Sequence, residues 1–352
     1  MKELAALLLG PLLFAAPCSA QVEHGGAPRA ALSSMLEVAR IDLTPPDVSK
    51  LLVPAADANG SRFKPLRVGT TVDARVDLSG FSSSHALGGT LYLLAITSPG
   101  AFGIGLNFYR FHLPPTAELF VYTPDRTEVR GAFTEANHKR YGGLSIAPIR
   151  GDHVVIELFV PTGLVAALQL ATVVHHFRDA LFGGWQAEEC IGYGCAGQCT
   201  VNVACELGSG WEEQAASTVQ VLTSEGTTLC SASMVNTLAG DGRQLLLTAS
   251  HCDQDPLGSA EDWIVLFNYQ DPTCADAPAE PSRNATTQGT KLLARRGELH
   301  RDPSDFALLE ITEPIPDGYR AYLSGWNAEE GETFEQPFGI HHPRGDVKKL
   351  NA

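Results

Sequence analysis

What most limits how this chain can fold is a succession of short β-prone runs, each closed off by glycine or proline. Between about residues 66 and 175 these runs include Gly89-Thr-Leu-Tyr-Leu-Leu-Ala-Ile96, Ala117-Glu-Leu-Phe-Val-Tyr-Thr123 and Asp152-His-Val-Val-Ile-Glu-Leu-Phe-Val160. Pro99-Gly100, Pro114-Pro115, Pro124-Asp125 and Arg150-Gly151-Asp152 separate them, and no helix-period segment of useful length interrupts. Short strands at even spacing with turn residues between them predict an antiparallel β-sandwich over 66–178. A second β-rich series follows at 217–222, 244–248, 263–267 and 306–311. The chain is therefore expected to be all-β.

Cysteine placement divides the chain. Of eight cysteines, only Cys18 precedes residue 190; Cys190, Cys195, Cys199, Cys205, Cys230, Cys252 and Cys274 all follow. They arrive with a glycine-rich stretch containing Phe182-Gly-Gly-Trp185 and Gly192-Tyr-Gly194, which marks 179–198 as a junction and 199–352 as a separate domain. Residues 21–65 lack sustained periodicity and read as a lead-in, with a short helix expected at 33–40. The first twenty residues carry Lys2, an uncharged apolar run over 4–16 and a small-residue end at Cys18-Ser-Ala20, the pattern of a cleaved signal peptide. That run is shorter than the roughly 20 residues that span a bilayer, and Pro17 disfavours lipidation of Cys18. Export predicts an extracellular protein whose cysteines form disulfides.

Composition excludes some functions. With 44% hydrophobic and 18% charged residues, each domain can bury an ordinary core. The formal net charge of −15 argues against a nucleic-acid partner, which selects a basic face. Neither a membrane partner nor a cofactor is expected, and the chain is read as a monomer.

Two stretches carry chemistry. Leu245-Leu-Leu-Thr-Ala-Ser-His-Cys252 is an apolar strand that delivers a histidine at its tip, followed at once by a cysteine. An imidazole on a rigid, stapled strand end is suited to work as a general base at neutral pH. Fifty-four residues on, Pro303-Ser-Asp-Phe-Ala-Leu-Leu-Glu310 places an aspartate before a second apolar strand. Such a carboxylate can accept the Nδ1 proton of the base and fix its tautomer. The adjacent pair His341-His342 is set aside as a metal site, because neighbouring strand residues face opposite ways and no companion ligand spacing supports zinc. Arg344-Gly-Asp346 is set aside as a chance adhesion tripeptide.

Together, Thr248-Ala-Ser-His-Cys252 and Ser304-Asp-Phe-Ala-Leu-Leu-Glu310 resemble the trypsin/chymotrypsin superfamily. Leu266-Phe-Asn-Tyr-Gln-Asp-Pro-Thr-Cys274, Ser324-Gly-Trp326 and Gly339-Ile-His-His-Pro343 are similar to segments of the bacterial lysyl endopeptidases. Leu119-Phe-Val-Tyr122 and 151–161 resemble the pro-regions of those enzymes.

The resemblance implies a sandwich pro-domain followed by the first barrel and part of the second barrel of a chymotrypsin-like double β-barrel. It implies a secreted serine endopeptidase precursor that cuts protein or peptide substrates, with His251 as base and Asp305 as its orienting carboxylate. By matched position Cys230 would pair with Cys252 and Cys205 with Cys274, while Cys199 would pair with a cysteine these residues do not include. Cys190 and Cys195 depart from the pattern: they bridge each other, or one takes Cys199. Trp326, His341 and His342 would lie near the substrate cleft.

Two departures stand out. No Gly-x-Ser-Gly turn occurs in the 352 residues, so the nucleophilic serine is expected beyond them and the chain by itself is expected to be inactive. No lysine lies between Lys139 and Lys291, so self-cleavage after lysine cannot release a domain beginning near Gly194. Maturation then uses another protease, a cut after Arg178, or a different specificity. The alternative function is a non-catalytic secreted binding protein on a degenerate protease fold.

Overall fold

The computed structural model describes residues 23–30, 38–52, 66–86, 88–181, 190–197, 199–223, 225–253, 260–296, 304–329, 331, 333 and 337–351. The expected signal peptide and part of the glycine-rich junction (182–189) lie outside them. Among the described residues the only α-helices are Ser49–Leu52 and Glu212–Ser217; the rest of the regular structure is β-strand and short 3₁₀ turns.

Two sheets make the sandwich. One orders Ala39–Asp42, Gly89–Thr97, His153–Pro161, Glu118–Tyr122 and Val129–Phe133, with Ser82–Ala86 also paired to Gly89–Thr97. The other orders Gly69–Asp77, Ala167–His176, Gly103–His112 and Leu144–Arg150. Leu94, Ile96, Ile156 and Leu158 of the first sheet share one core with Ile104, Leu106, Ile146, Leu170 and Val173 of the second. Alternate residues of the same strands, Leu91, Leu93, Val155 and Phe159, pack outward on Ala30 and Val38. This two-sided burial explains why His153–Pro161 reads as a nearly unbroken apolar run rather than an alternating one. Its one interior charge, Glu157, is fully buried and accepts hydrogen bonds from Tyr122 Oη (2.8 Å) and from the amides of Ala30 (3.2 Å) and Arg29. The carboxylate thus pins the lead-in across the outer face.

The helix expected at 33–40 is corrected where it can be seen. Arg40 lies in the strand Ala39–Asp42, which pairs in parallel with Leu94–Thr97; residues 31–37 lie outside the described set. The vacant edge of Gly89–Thr97 offered a ladder of hydrogen bonds, and that tertiary partner outweighed local preference.

The second domain is built on a sheet ordered Thr286–Gln288, Ile264–Leu266, Thr218–Thr223, Thr228–Val235, Leu245–Thr248, Phe306–Ile311 and Thr290–Arg296. Its two end strands are separated in sequence by Gly289 alone, so the sheet has to curl back on itself into a barrel. Gly289 takes φ +105°, and a Cβ there would sit 2.8 Å from Thr312 Oγ1, so the corner needs glycine. Val219, Val221, Met234, Leu246, Trp263, Val265 and Leu309 fill the interior. A three-stranded sheet of Val201–Asn202, Lys349–Asn351 and Gly339–His341 stands beside the barrel. The architecture is all-β and chymotrypsin-like.

The barrel's outer face is also apolar. Leu222, Leu229, Ile264 and Leu266 are covered by Val68, Ala147, Ala180 and Leu181. Leu66–Arg67, at the expected start of the sandwich, pairs instead with Thr228–Leu229 of the barrel. The strand run Thr218–Thr223 is buried throughout because it faces the barrel interior on one side and this interface on the other.

Candidate active site

His251 and Asp305 sit at adjoining ends of two paired strands. Leu245–Thr248 runs antiparallel to Phe306–Ile311 with Thr248 opposite Ala307. Continuing that register sets the residues just after the first strand against those just before the second. Ser250–Cys252 forms a single 3₁₀ turn closed by Cys252 N–H donating to Ala249 O at 3.2 Å. The turn is held from behind: Thr223 Oγ1 donates to Cys252 O at 2.6 Å, and Cys252 is joined to Cys230 of the neighbouring strand.

Asp305 takes two hydrogen bonds from His251, from the ring Nδ1 at 2.5 Å and from the backbone amide at 3.0 Å. The bidentate grip fixes the imidazole plane, places its proton on Nδ1 and leaves the basic lone pair on Nε2. Partial burial works to raise the Asp305 carboxyl, but the hydrogen bonds from the His251 ring and amide, the nearby imidazole charge and the Ser250 amide outweigh it and hold it below the usual carboxylate range. The pair remains reachable, with the His251 side chain 26% exposed.

His251 opens onto a cavity of about 180 Å³ shared with Leu66, Leu229, His342 and Arg344. His342 is buried, donates from Nδ1 to Asp346 O at 3.0 Å, and stacks on Tyr269 with ring centroids 5.9 Å apart. Burial, reinforced by the Lys348 charge, pushes its imidazole well below the ordinary histidine range, so it is held neutral. His341 is half-buried on the strand Gly339–His341 and is not among the cavity's lining residues. Trp326 is also outside that lining: its side chain is largely exposed and its Nε1 donates to Asn236 O at 3.1 Å.

Cys230, His251 and Cys252 come close enough to suggest a metal cluster, but both sulfurs are committed to their mutual disulfide. Cys205 is joined to Cys274 and Cys190 to Cys195, and Cys199 is exposed with a free thiol. The Cys190–Cys195 ring is held to the body of the domain by Asp346, whose fully buried carboxylate accepts from the amides of Gly194 (3.0 Å) and Ala196 (2.8 Å). That burial takes Asp346 out of reach of an adhesion receptor. Ser324, a serine before glycine, spends its hydroxyl on Ser217 Oγ at 2.8 Å. Sequence reasoning missed several cavity residues, among them Leu66, Gln220 and Leu229; Leu66 lies far from any motif, and nothing in its local sequence signals a place beside His251.

With this geometry in view, comparison with known proteins adds two findings. Residues 193–352 match the family model described as lysyl endopeptidase, C-terminal domain. A lysyl endopeptidase of Pseudomonas aeruginosa is 30% identical over 213 residues, covering 58% of this chain. The match covers 44% of that relative, so the chain spans less than half the length of the protein it resembles.

Proposed function

We propose, from the premise that this chain is lysyl endopeptidase-like over its second domain, that it is the precursor of a secreted serine-type endopeptidase. The observation that carries the reading is the two-bonded pairing of Asp305 with His251 at the open rim of a barrel. In this reading His251 Nε2 takes the proton of a serine hydroxyl as that oxygen attacks a peptide carbonyl. The proton then passes to the departing amine, and Asp305 stabilises the imidazolium in between. The serine, the oxyanion donors and the specificity pocket would come from polypeptide outside these 352 residues, so the isolated chain is inactive. The sandwich acts as the pro-domain, and the three disulfides accord with an extracellular setting.

The barrel begins in a lysine-free stretch, so its release at the junction needs a cut at a residue other than lysine. The test is labelling of the full-length gene product with a serine-reactive phosphonate. Labelling that collapses in His251→Ala is expected. Full-rate labelling of His251→Ala would remove histidine from its role, and no labelling of the wild type would favour the non-catalytic binding protein.

A further inference from the structure

Cys190 and Cys195 close a ring of six residues, Cys190-Ile-Gly-Tyr-Gly-Cys195, where the two domains join. The family match begins inside this ring, at Tyr193. The second half of the ring is bonded to the barrel domain. Gly192 N–H donates to Arg344 O at 2.9 Å, and Gly194 N–H donates to Asp346 Oδ1 at 3.0 Å. The Tyr193 hydroxyl lies 2.9 Å from Asp271 Oδ1 and 2.8 Å from Ala277 O. Asp271 and Asp346 are both fully buried, and Cys195 is buried beside them in the chain.

This arrangement bears on where the two domains can be cut apart. Nicking concentrates where backbone is exposed and free of hydrogen bonds, and a protease grips several residues around the bond in extended form. Drawn out, Cys190 to Cys195 would span roughly 17 Å between Cα atoms. The disulfide holds those atoms at 5.2 Å, and Gly192 and Gly194 bend the chain further with φ of +93° and +77°. Opening of the surrounding fold does not lift that limit, because it is covalent. The Tyr193–Gly194 bond is therefore closed to cutting while the disulfide stands. A cut there would not free the barrel either, since Cys195 would still be joined to Cys190 on the sandwich side. Arg178 is closed for another reason: it is buried, its amide donates to Val68 O at 3.3 Å and its Nη1 to Arg67 O at 2.6 Å.

We propose that the Cys190–Cys195 ring is the amino-terminal element of the barrel domain, retained there after maturation, and that the cut separating the domains falls ahead of Cys190. The inference rests on the precursor reading for there being such a cut; the closure of the ring does not.

The test has two arms. The native 352-residue chain is digested exhaustively with chymotrypsin, then reduced, and the fragments are sequenced from their amino ends. No fragment should begin at Gly194, although Tyr193 is a residue that this protease cuts after. The same digestion of Cys190→Ser with Cys195→Ser should yield one. A fragment beginning at Gly194 in the wild type, or in neither protein, would overturn the proposal. If the double variant is cut throughout its sandwich as well, the same reading on Cys190→Ser alone decides it. In the second arm, the matured full-length gene product should begin at or before Cys190, and a start at Gly194 would overturn the proposal. A full-length product that stays in one piece while the digestions behave as described would remove the precursor reading, and with it the cut, and leave the closed ring standing.

Discussion

Lys139 and Glu313 come from different domains, yet Nζ and Oε1 lie 2.9 Å apart with both side chains more than nine-tenths buried. Glu313 also accepts the Gln288 amide at 2.8 Å through its other oxygen, and Gln288 Nε2 donates to Tyr141 Oη at 2.6 Å. The sandwich is thus joined to the barrel by a desolvated polar cluster as well as by apolar contact. Removing one member of a buried pair strands the other charge, so Lys139→Met should destabilise the chain by about 3–5 kcal/mol. Adding Glu313→Gln, which removes the charge and keeps an acceptor for Gln288, should recover most of that. Urea midpoints of the two variants check it.

Asp305 accepts from His251 through both of its carboxylate oxygens. Asp305→Asn preserves the shape but offers an amide in place of one oxygen, so the ring loses its enforced tautomer. Under the proposed function, kcat of the full-length gene product should fall by roughly 10⁴. In the 352-residue chain the downfield Nδ1 proton resonance of His251 should be present in the wild type and absent in the variant. A resonance that survives the substitution would mean that Asp305 does not orient the ring.

The disulfide between Cys230 and Cys252 spans 22 residues of sequence. Closing a loop of that size restricts the unfolded chain by about 3 kcal/mol. Cys230→Ala with Cys252→Ala should lower stability by that amount and also loosen the turn that carries His251. Thermal unfolding gives the first, and line broadening of the His251 resonances gives the second.

Lys348 is fully buried, donating to Ala215 O at 2.6 Å and to Gln270 Oε1 at 3.1 Å. Burial pushes its amine down to about 7. The unfolded chain keeps that proton up to about pH 10.4, so in the interval it binds more protons than the folded state and stability rises with pH. Below about pH 7 both states are protonated and the contribution is flat. Between pH 7 and about 8.5 the wild type should gain up to about 1.4 kcal/mol per unit relative to Lys348→Met, read as the difference between their denaturant midpoints. Parallel pH dependences would show the amine charged in the fold.

Much of the secondary structure was legible in local pattern. The run 306–311 coincides with the strand Phe306–Ile311, and 244–248 differs from Leu245–Thr248 by one residue. Such ends shift because a strand stops where its partner stops, which the strand's own residues do not encode. Ala39–Asp42 escaped notice for a related reason: four residues, although they alternate apolar and polar, become a strand only when Gly89–Thr97 presents an edge.

His251 and Asp305 were legible as candidates, each standing at the tip of an apolar run. Their contact was expected from the resemblance, whereas the register that makes it, which sets Thr248 against Ala307, is not encoded in either run.

The sequence by itself determined an all-β chain in two parts, the chemistry of its histidine and aspartate, and which half carries the disulfides. These follow from side-chain periodicity, turn residues and residue type, all of which act locally. Only the tertiary structure decided which strand fills which open edge, including the placement of Leu66–Arg67 beside His251. Edge pairing is made by backbone groups that every residue carries, so it is selected by what the rest of the fold holds within reach.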